Sequence, residues 1–307
     1  MLVSSNNEIP SFIFKGVKII DTFAEAFPIT GARVIITAAT QEWANIAAST
    51  STGHASSVIG CDTEAGIERE LSPDETPDGR PGVSLLFFAF SRESLQKAIV
   101  SRVGQSILTC PTTACFNGVP IDPTRAIQVG GMLRFFGDGF QTSKLLDKKR
   151  YWRIPVMDGE FVCEDKFGTV KGVAGGNILI LGSSQALALE AASRAVLAAR
   201  KIPDVILPFP GGVVRSGSKV GSKYKKLKAS TNEAYCPTLR ALTNSSLETN
   251  VSAVYEIVID GFSRESVESA MKNALIAACG NGVECISAGN YGGKLGPVHI
   301  RLASLVG

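Results

Sequence analysis

The pentapeptide FSRES occurs twice, at Phe90–Ser94 and Phe262–Ser266, 172 residues apart. A repeated motif in matching surroundings points to an internal duplication, which restricts the fold more than composition can. Each copy follows an apolar run of strand character, Val83 to Phe90 and Val254 to Phe262, and opens a stretch with helical spacing. Leu95, Ala98, Ile99 and Val103 share one face of the first helix; Val267, Ala270, Met271, Ala274 and Ala278 share one face of the second. Ser91 and Ser263 stand where N-caps belong, and Glu93 and Glu265 sit where a helix N-terminus favours negative charge. Gly104 and Gly280 close the two helices, and short strands are expected at 107–110 and 283–287.

A second β-α-β pattern lies upstream of each copy. It reads ARVIITAAT, QEWANIAAS, SSVIG over 32–60, and NILILGSS, QALALEAASRAVLAAR, DVILPF over 177–209. Gln41 aligns with Gln185 at an offset of 144. The expected fold is therefore α+β: two ferredoxin-like β-α-β-β-α-β lobes, each an antiparallel sheet backed on one face by two helices. The offset grows from 144 to 172, which places 28 extra residues within the second half, most of them between Pro210 and Val251. The expected organisation is an N-terminal lobe over 1–155, with 1–12 as a flexible leader, and a C-terminal lobe over 156–307 carrying an inserted basic loop at about 210–250. An insertion longer than about 15 residues in a compact domain is commonly functional.

Composition narrows the function classes. With 307 residues, 45% of them hydrophobic and 19% charged, the chain can bury substantial cores, and no apolar run approaches the roughly 18 residues of a membrane span. The first residues lack a basic region and an apolar core of signal-peptide length, so a cytoplasmic protein is expected. Seven scattered cysteines without a CxxC pair read as reduced, mostly buried thiols. A net charge of +3 is too small for a nucleic-acid footprint over the whole protein, and no strand carries the K/R-G-F-G-F-V pattern of an RNA-binding sheet.

The common catalytic motifs fall away in turn. The two histidines, His54 and His299, have no His or Cys at metal-ligand spacing, so no metal site is expected. Cys110 and Cys115 lack the third cysteine of an iron-sulfur motif. No G-x-S-x-G elbow is present. GSKVGSK at 217–223 has the wrong glycine spacing for a P-loop, and AGGN at 174–177 precedes a strand where a dinucleotide fingerprint would follow one. Five glycine-rich loops remain: ETPDGRPG (75–82), FFGDG (135–139), GVAGGN (172–177), PFPGG (208–212) and SAGNYGGKLG (287–296). One such loop reads as a tight turn; five together read as backbone lining a ligand cleft.

Together with DTFAEAF (21–27), EAGIE (64–68), SKVGS (218–222) and YEIVI (255–259), these loops give the sequence a strong resemblance to the formylmethanofuran:tetrahydromethanopterin formyltransferase family, from about Gly16 to Leu302. The family belongs to one-carbon metabolism, in methanogenesis and in bacterial formaldehyde oxidation. The resemblance implies reversible formyl transfer between formylmethanofuran and N5 of tetrahydromethanopterin, by direct acyl transfer through a tetrahedral intermediate. It also implies that the two carriers act as co-substrates with no prosthetic group, and that the chain assembles as a homo-oligomer, commonly a tetramer. The slightly basic charge and the longer N-terminus favour the bacterial branch, whose members imply hydrolase subunits as partners.

Residue by residue, the resemblance makes Glu256 of YEIVI the catalytic candidate. Strand alternation places it with Val254 and Val258 among apolar neighbours, where burial would raise its pKa. The pattern alone favours a solvent-facing glutamate; the resemblance reverses that preference. Substrate-binding candidates are Gly175, Gly176, Asn177, Lys219, Ser222, Asn290 and Lys294, with Lys219 expected closest to the cleft and Lys225, Lys226 and Lys228 more peripheral. For Asn290, Lys294 and the amides of Gly175 and Gly176, turn-building reads equally well. A solvated charge run is the competing reading of the basic segment 215–228. A non-catalytic ferredoxin-like scaffold subunit of a formyltransferase/hydrolase complex is the alternative function.

Overall fold

In the computed structural model, which describes residues 10–307, two β-α-β-β-α-β units follow one another. The first comprises β1 (Phe23–Thr37), α1 (Gln41–Thr52), β2 (Glu64–Leu71), β3 (Gly82–Ala89), α2 (Arg92–Arg102) and β4 (Ala114–Asn117). The second comprises β5 (Val170–Gly182), α3 (Gln185–Ala199), β6 (Val205–Ile206), β7 (Ala253–Gly261), α4 (Arg264–Ala278) and β8 (Val283–Ser287). Strand order is β4-β1-β3-β2 in the first unit and β8-β5-β7-β6 in the second, every pairing antiparallel. The four major helices start on hydroxyl caps: Thr40, Ser91, Ser184 and Ser263 each accept a backbone N–H from the residue three positions on.

Two expected strands lie elsewhere. Residues 56–60 form a turn, in which Gly60 and Cys61 donate to the Ser57 carbonyl, and the strand follows at Glu64–Leu71. Its sequence, EAGIEREL, lacks an apolar run, and its Glu64 and Glu68 side chains meet Asp260 and the Asp204 N–H of the second unit. Residues 103–107 continue α2 as a wide helical turn, and the strand expected at 107–110 begins at Ala114. The glycine-rich GVAGGN is no loop but part of β5, where Gly175 (φ +92°) forms a bulge between the Val173 and Gly176 pairings. Of the expected leader, residues 1–9 lie outside the described residues. Ser11–Phe14 is a strand paired with Val17–Ile20, which adds in parallel to β8. Past the expected junction at 155/156, Gly159–Glu164 runs parallel to β4 and extends the first unit's sheet.

Strands β1 and β5 join the units edge to edge, with Val170–Ala174 antiparallel to Phe27–Gly31. Each unit has its own core. Alanine-rich faces of α3 and α4 pack on Ile178, Ile180, Ile257 and Ile259, and α1 and α2 pack on Val34, Ile36, Leu85 and Phe87. A smaller apolar cluster at the boundary contains Ile29, Leu86, Phe88, Ala174 and Ile206. Beside it, Arg33 donates to Glu68 at 2.7 and 2.8 Å and to Asp204 at 2.5 Å, and its guanidinium lies 5.0 Å from the Phe262 ring centroid. Burial alone would raise the Glu68 pKa, but the Arg33 and Ser84 hydrogen bonds hold it below the usual carboxylate range.

Arg33 and the Glu68 carboxylate are both largely withdrawn from water, so removing one partner leaves the other charge uncompensated. Arg33→Met should therefore destabilise the protein by about 3 kcal/mol. The urea midpoint at unchanged slope measures this; a loss below about 0.5 kcal/mol would class the pair with surface ion pairs.

Candidate functional site

The 210–250 insertion folds back over the face of the second sheet that its helices leave uncovered. Leu247 and Val251 pack there with Leu179, Leu181 and Cys285, and Tyr235 and Val254 border the same cluster. Val214 exchanges two backbone hydrogen bonds with Glu256, 2.7 and 3.0 Å, so the insertion begins as a strand-like contact at the candidate glutamate itself. Between insertion and sheet lies a cavity of about 520 Å³, lined among others by Gln185, Arg215, Asn232, Tyr235, Thr238 and Glu256. Enclosure raises the Glu256 pKa from 4.5 to about 7, burial being the whole cause.

The SAGNYGGKLG loop lies beside Glu256, outside the lining of that cavity. Its fold is organised by Glu25, a buried carboxylate of β1 that accepts the backbone N–H groups of Tyr291 (2.7 Å), Gly293 (3.0 Å), Gly296 (2.7 Å) and Leu295. Burial pushes the Glu25 pKa up, but these four donors outweigh it and hold the group below the ordinary carboxylate range. Asn177 links the loop to β5: its Oδ1 accepts the Gly289 N–H at 2.6 Å, and its Nδ2 donates to the carbonyls of Gly175 and Gly289. A Cβ at Gly289 would lie 3.3 Å from Asn177 Oδ1 and 3.7 Å from the Glu256 carboxylate, so this glycine sits against both groups. The Tyr291 hydroxyl donates to the Ser218 carbonyl at 3.1 Å and ties loop to insertion; burial, and then the nearby Glu256 charge, raise its pKa.

Asn177, Gly289 and Glu256 thus come together. Asn290 turns away to bond Thr22 and the Phe23 carbonyl, and Lys294 is exposed on the loop. Gly175 forms the bulge, and a Cβ at Gly176 would meet Val267 of α4 at 2.3 Å, so both glycines are required by the backbone and its packing. Lys219 pairs with Glu233, and Ser222 accepts the Tyr224 N–H, both within the insertion. Arg215 lines the cavity, whereas Lys225, Lys226 and Lys228 are exposed. Sequence reasoning missed Arg215 as the residue at the cavity, together with Glu25, Tyr235 and Tyr291. Glu25 and Tyr291 stand inside the quoted motifs DTFAEAF and SAGNYGGKLG, the one signal that marked them. Among the described residues no group of three or more His, Cys, Asp or Glu could hold a metal ion, and no helix is long and apolar enough to cross a membrane.

Comparison with known proteins identifies the family. A family model described as formylmethanofuran-tetrahydromethanopterin formyltransferase matches residues 12–156, and its companion, described as the proximal lobe, matches 159–305. A formylmethanofuran–tetrahydromethanopterin formyltransferase of Methylobacillus flagellatus is 56% identical over 300 residues, 96% of this chain and 99% of the relative. A chain in the crystal structure of the Methylorubrum extorquens formyltransferase/hydrolase complex with methylofuran superposes with a TM-score of 0.94 at 52% identity, covering 97% of this chain and 99% of that one. The formyltransferase of Methanosarcina barkeri superposes at 0.90 with 49% identity, covering 96% and 100%.

Because the Glu25 pKa is lowered, its stabilising effect is complete above the ordinary carboxylate range and disappears only as pH falls through the lowered value. Glu25→Gln keeps the size but points an NH₂ at a ring of N–H donors. It should cost about 1–3 kcal/mol and accelerate amide exchange across 289–296. Wild-type exchange in that segment would remove Glu25 as its organiser.

Proposed function

Because the chain belongs to the formylmethanofuran-tetrahydromethanopterin formyltransferase family over almost its whole length, we propose that it transfers a formyl group reversibly between formylmethanofuran and N5 of tetrahydromethanopterin. The observation that carries the reading is Glu256: a carboxyl with a pKa near 7 at the wall of a cavity, beside glycine backbone, with Arg215 at the same cavity. The nitrogen of the acceptor attacks the formyl carbon, the new C–N bond forms, and charge gathers on the formyl oxygen. The tetrahedral intermediate then collapses by breaking the bond to the donor nitrogen. The attacking amine must lose a proton and the leaving nitrogen must gain one; a single carboxyl poised near neutrality serves both transfers. No acyl-enzyme is needed. The two carriers are co-substrates, and Arg215 with the lysines of the insertion suits their acidic tails.

The two β-α-β-β-α-β units are read as ferredoxin-like lobes of one duplication, 1–155 and 156–307, with Gly159–Glu164 of the second stretch added to the first lobe's sheet. Support comes from the identical strand order and from the pairing register: Ile35 faces Ser84 in the first unit as Leu179 faces Glu256 in the second, each pair related by the offsets 144 and 172. The reading extends to a cytoplasmic homo-oligomer, in the manner of a tetramer, that also joins hydrolase subunits as in the bacterial complex. Seven free cysteines fit a reducing compartment. The exposed apolar side chains Met132, Phe135, Phe136, Phe140 and Met157 form the kind of surface that subunits cover.

Glu256→Gln should lower kcat by about 10²–10⁴ and remove the ionisation near pH 7 from its pH profile, with KM values for both carriers little changed. Activity within about threefold of wild type would exclude the residue as proton carrier. Reversing Lys225 and Lys226 to Glu should raise the KM for the more acidic carrier several-fold at low ionic strength, an effect that salt erases. A KM unchanged at low salt would mark these lysines as solvated surface.

A further inference from the structure

Two carboxyl groups outside the Glu256 cavity meet across the boundary between the units. Asp260 of β7 has no exposed surface and Glu64 of β2 retains 5%. One oxygen of each is accounted for: Asp260 Oδ1 accepts the Gly175 N–H at 3.0 Å and Glu64 Oε1 accepts the Val58 N–H at 3.0 Å. The other two, Asp260 Oδ2 and Glu64 Oε2, are buried and receive no N–H or O–H donor. Arg33, the cation at this boundary, is engaged by Glu68 and Asp204. The two carboxyls instead lie beside each other, their unpartnered oxygens both buried, each acting on the other's ionisation. Two carboxylate oxygens repel; a carboxylic acid facing a carboxylate makes a strong hydrogen bond. Burial raises the pKa of both groups, and in Asp260 the Glu64 charge adds to it, the directions needed for one proton to stay.

What this pair holds leads to the site. Gly175 is the bulge of β5, its carbonyl accepts from Asn177 Nδ2, and Asn177 grips Gly289 beside Glu256. We propose that Glu64 and Asp260 share a single proton across the unit boundary and act as a positioning pair, fixing the Gly175 bulge and through it Asn177 and Gly289 against the catalytic carboxyl. Neither member of the pair lines the Glu256 cavity. Its role in transfer rests on the formyltransferase reading, but its shared proton does not.

The test uses the whole protein. Infrared spectra in D₂O, recorded near neutral pH without carriers in a Glu256→Gln background so that the other carboxyl titrating there is absent, should contain the C=O stretch of a protonated carboxyl that disappears on adding either Glu64→Gln or Asp260→Asn. Each amide supplies an N–H where the shared proton was, so with Glu256 intact both variants should keep kcat within about threefold. Glu64→Leu keeps the volume but removes the hydrogen bond; it should lower kcat about 10- to 100-fold with KM within about threefold, and speed amide exchange at 172–177. A spectrum in which neither amide variant loses a protonated-carboxyl band overturns the shared proton. A loss of kcat in both amide variants, or a folded Glu64→Leu protein with wild-type kcat, overturns the positioning role. The first of those outcomes can be read even if Glu64→Leu does not fold. Wild-type protein inactive with both carriers, with the band still present in the Glu256→Gln background, would overturn the formyltransferase reading and leave the pair standing.

Discussion

One strand, Val170–Gly182, is hydrogen-bonded to both units, and the rest of the molecule is arranged by that double commitment. Its first residues pair with Phe27–Gly31 of the first unit, and its later ones pair with β7 on one side and β8 on the other. A regular strand cannot change neighbours without leaving backbone groups unpaired in the interior, where each costs about as much as a lost hydrogen bond. The bulge at Gly175 resolves this. Its N–H is turned out of the ladder to the Asp260 carboxylate, its carbonyl to Asn177, and pairing with β7 resumes at Gly176. The positive φ there and the contact that a Cβ at Gly176 would make with Val267 explain two consecutive glycines in a strand that should otherwise avoid them.

The site and its supports amount to one carboxyl problem handled in four ways. Glu25 is surrounded by four backbone N–H groups and stays ionised, which folds a ten-residue glycine-rich loop around a single charge. Glu68 is neutralised by Arg33. Glu64 and Asp260 face each other without a cation. Glu256 receives neither cation nor donor, and its pKa moves to about 7. Only a carboxyl left without compensation can change protonation at neutral pH, and it is the one that faces the cavity. The others hold its surroundings at fixed charge.

The body of strand β1, strand β7 and the four helices were legible in the sequence, because apolar periodicity and, at Ser91 and Ser263, hydroxyl caps are local signals. EAGIEREL was not legible as a strand: Glu64 and Glu68 answer to Asp260 and Arg33, partners that only the tertiary fold supplies. The GVAGGN glycines were read as a loop because composition cannot separate a bulge inside a strand from a turn between strands. Glu256 was found through resemblance and not through its pattern, since a glutamate alternating with valines is equally the mark of a solvated sheet face. What keeps it from water is the insertion, whose packing against Leu179 and Leu181 depends on scattered residues such as Leu247 and Val251 that show no period. Lys219 illustrates the converse: it stands in a family-matching run, yet its charge is spent on Glu233 within the insertion.

The proposed duplication also explains why a protein with two similar halves has one such cavity beneath an insertion. At the offsets of 144 and 172, Asn177 corresponds to Arg33 and Glu256 to Ser84; by strand pairing, at an offset of 171, Gly289 beside the β8–β5 ladder corresponds to Gly118 beside the β4–β1 ladder. In the first unit these positions form a closed cluster. Ser84 donates to Glu68 at 2.6 Å, Arg33 binds the same carboxylate, and the Gly118 N–H donates to the Arg33 carbonyl. The second unit's Asp204 joins the cluster by its backbone N–H and its side chain, so the cluster also ties the two units together. In the second unit the same three positions carry an amide, a free carboxyl and a glycine, and the insertion roofs them instead of a neighbouring unit. A cluster that satisfies all its charges stabilises an interface; one that leaves a carboxyl unsatisfied beside open backbone can move a proton. The two units differ in the side chains at these sheet positions, and in the second the 210–250 segment supplies the enclosure around Glu256.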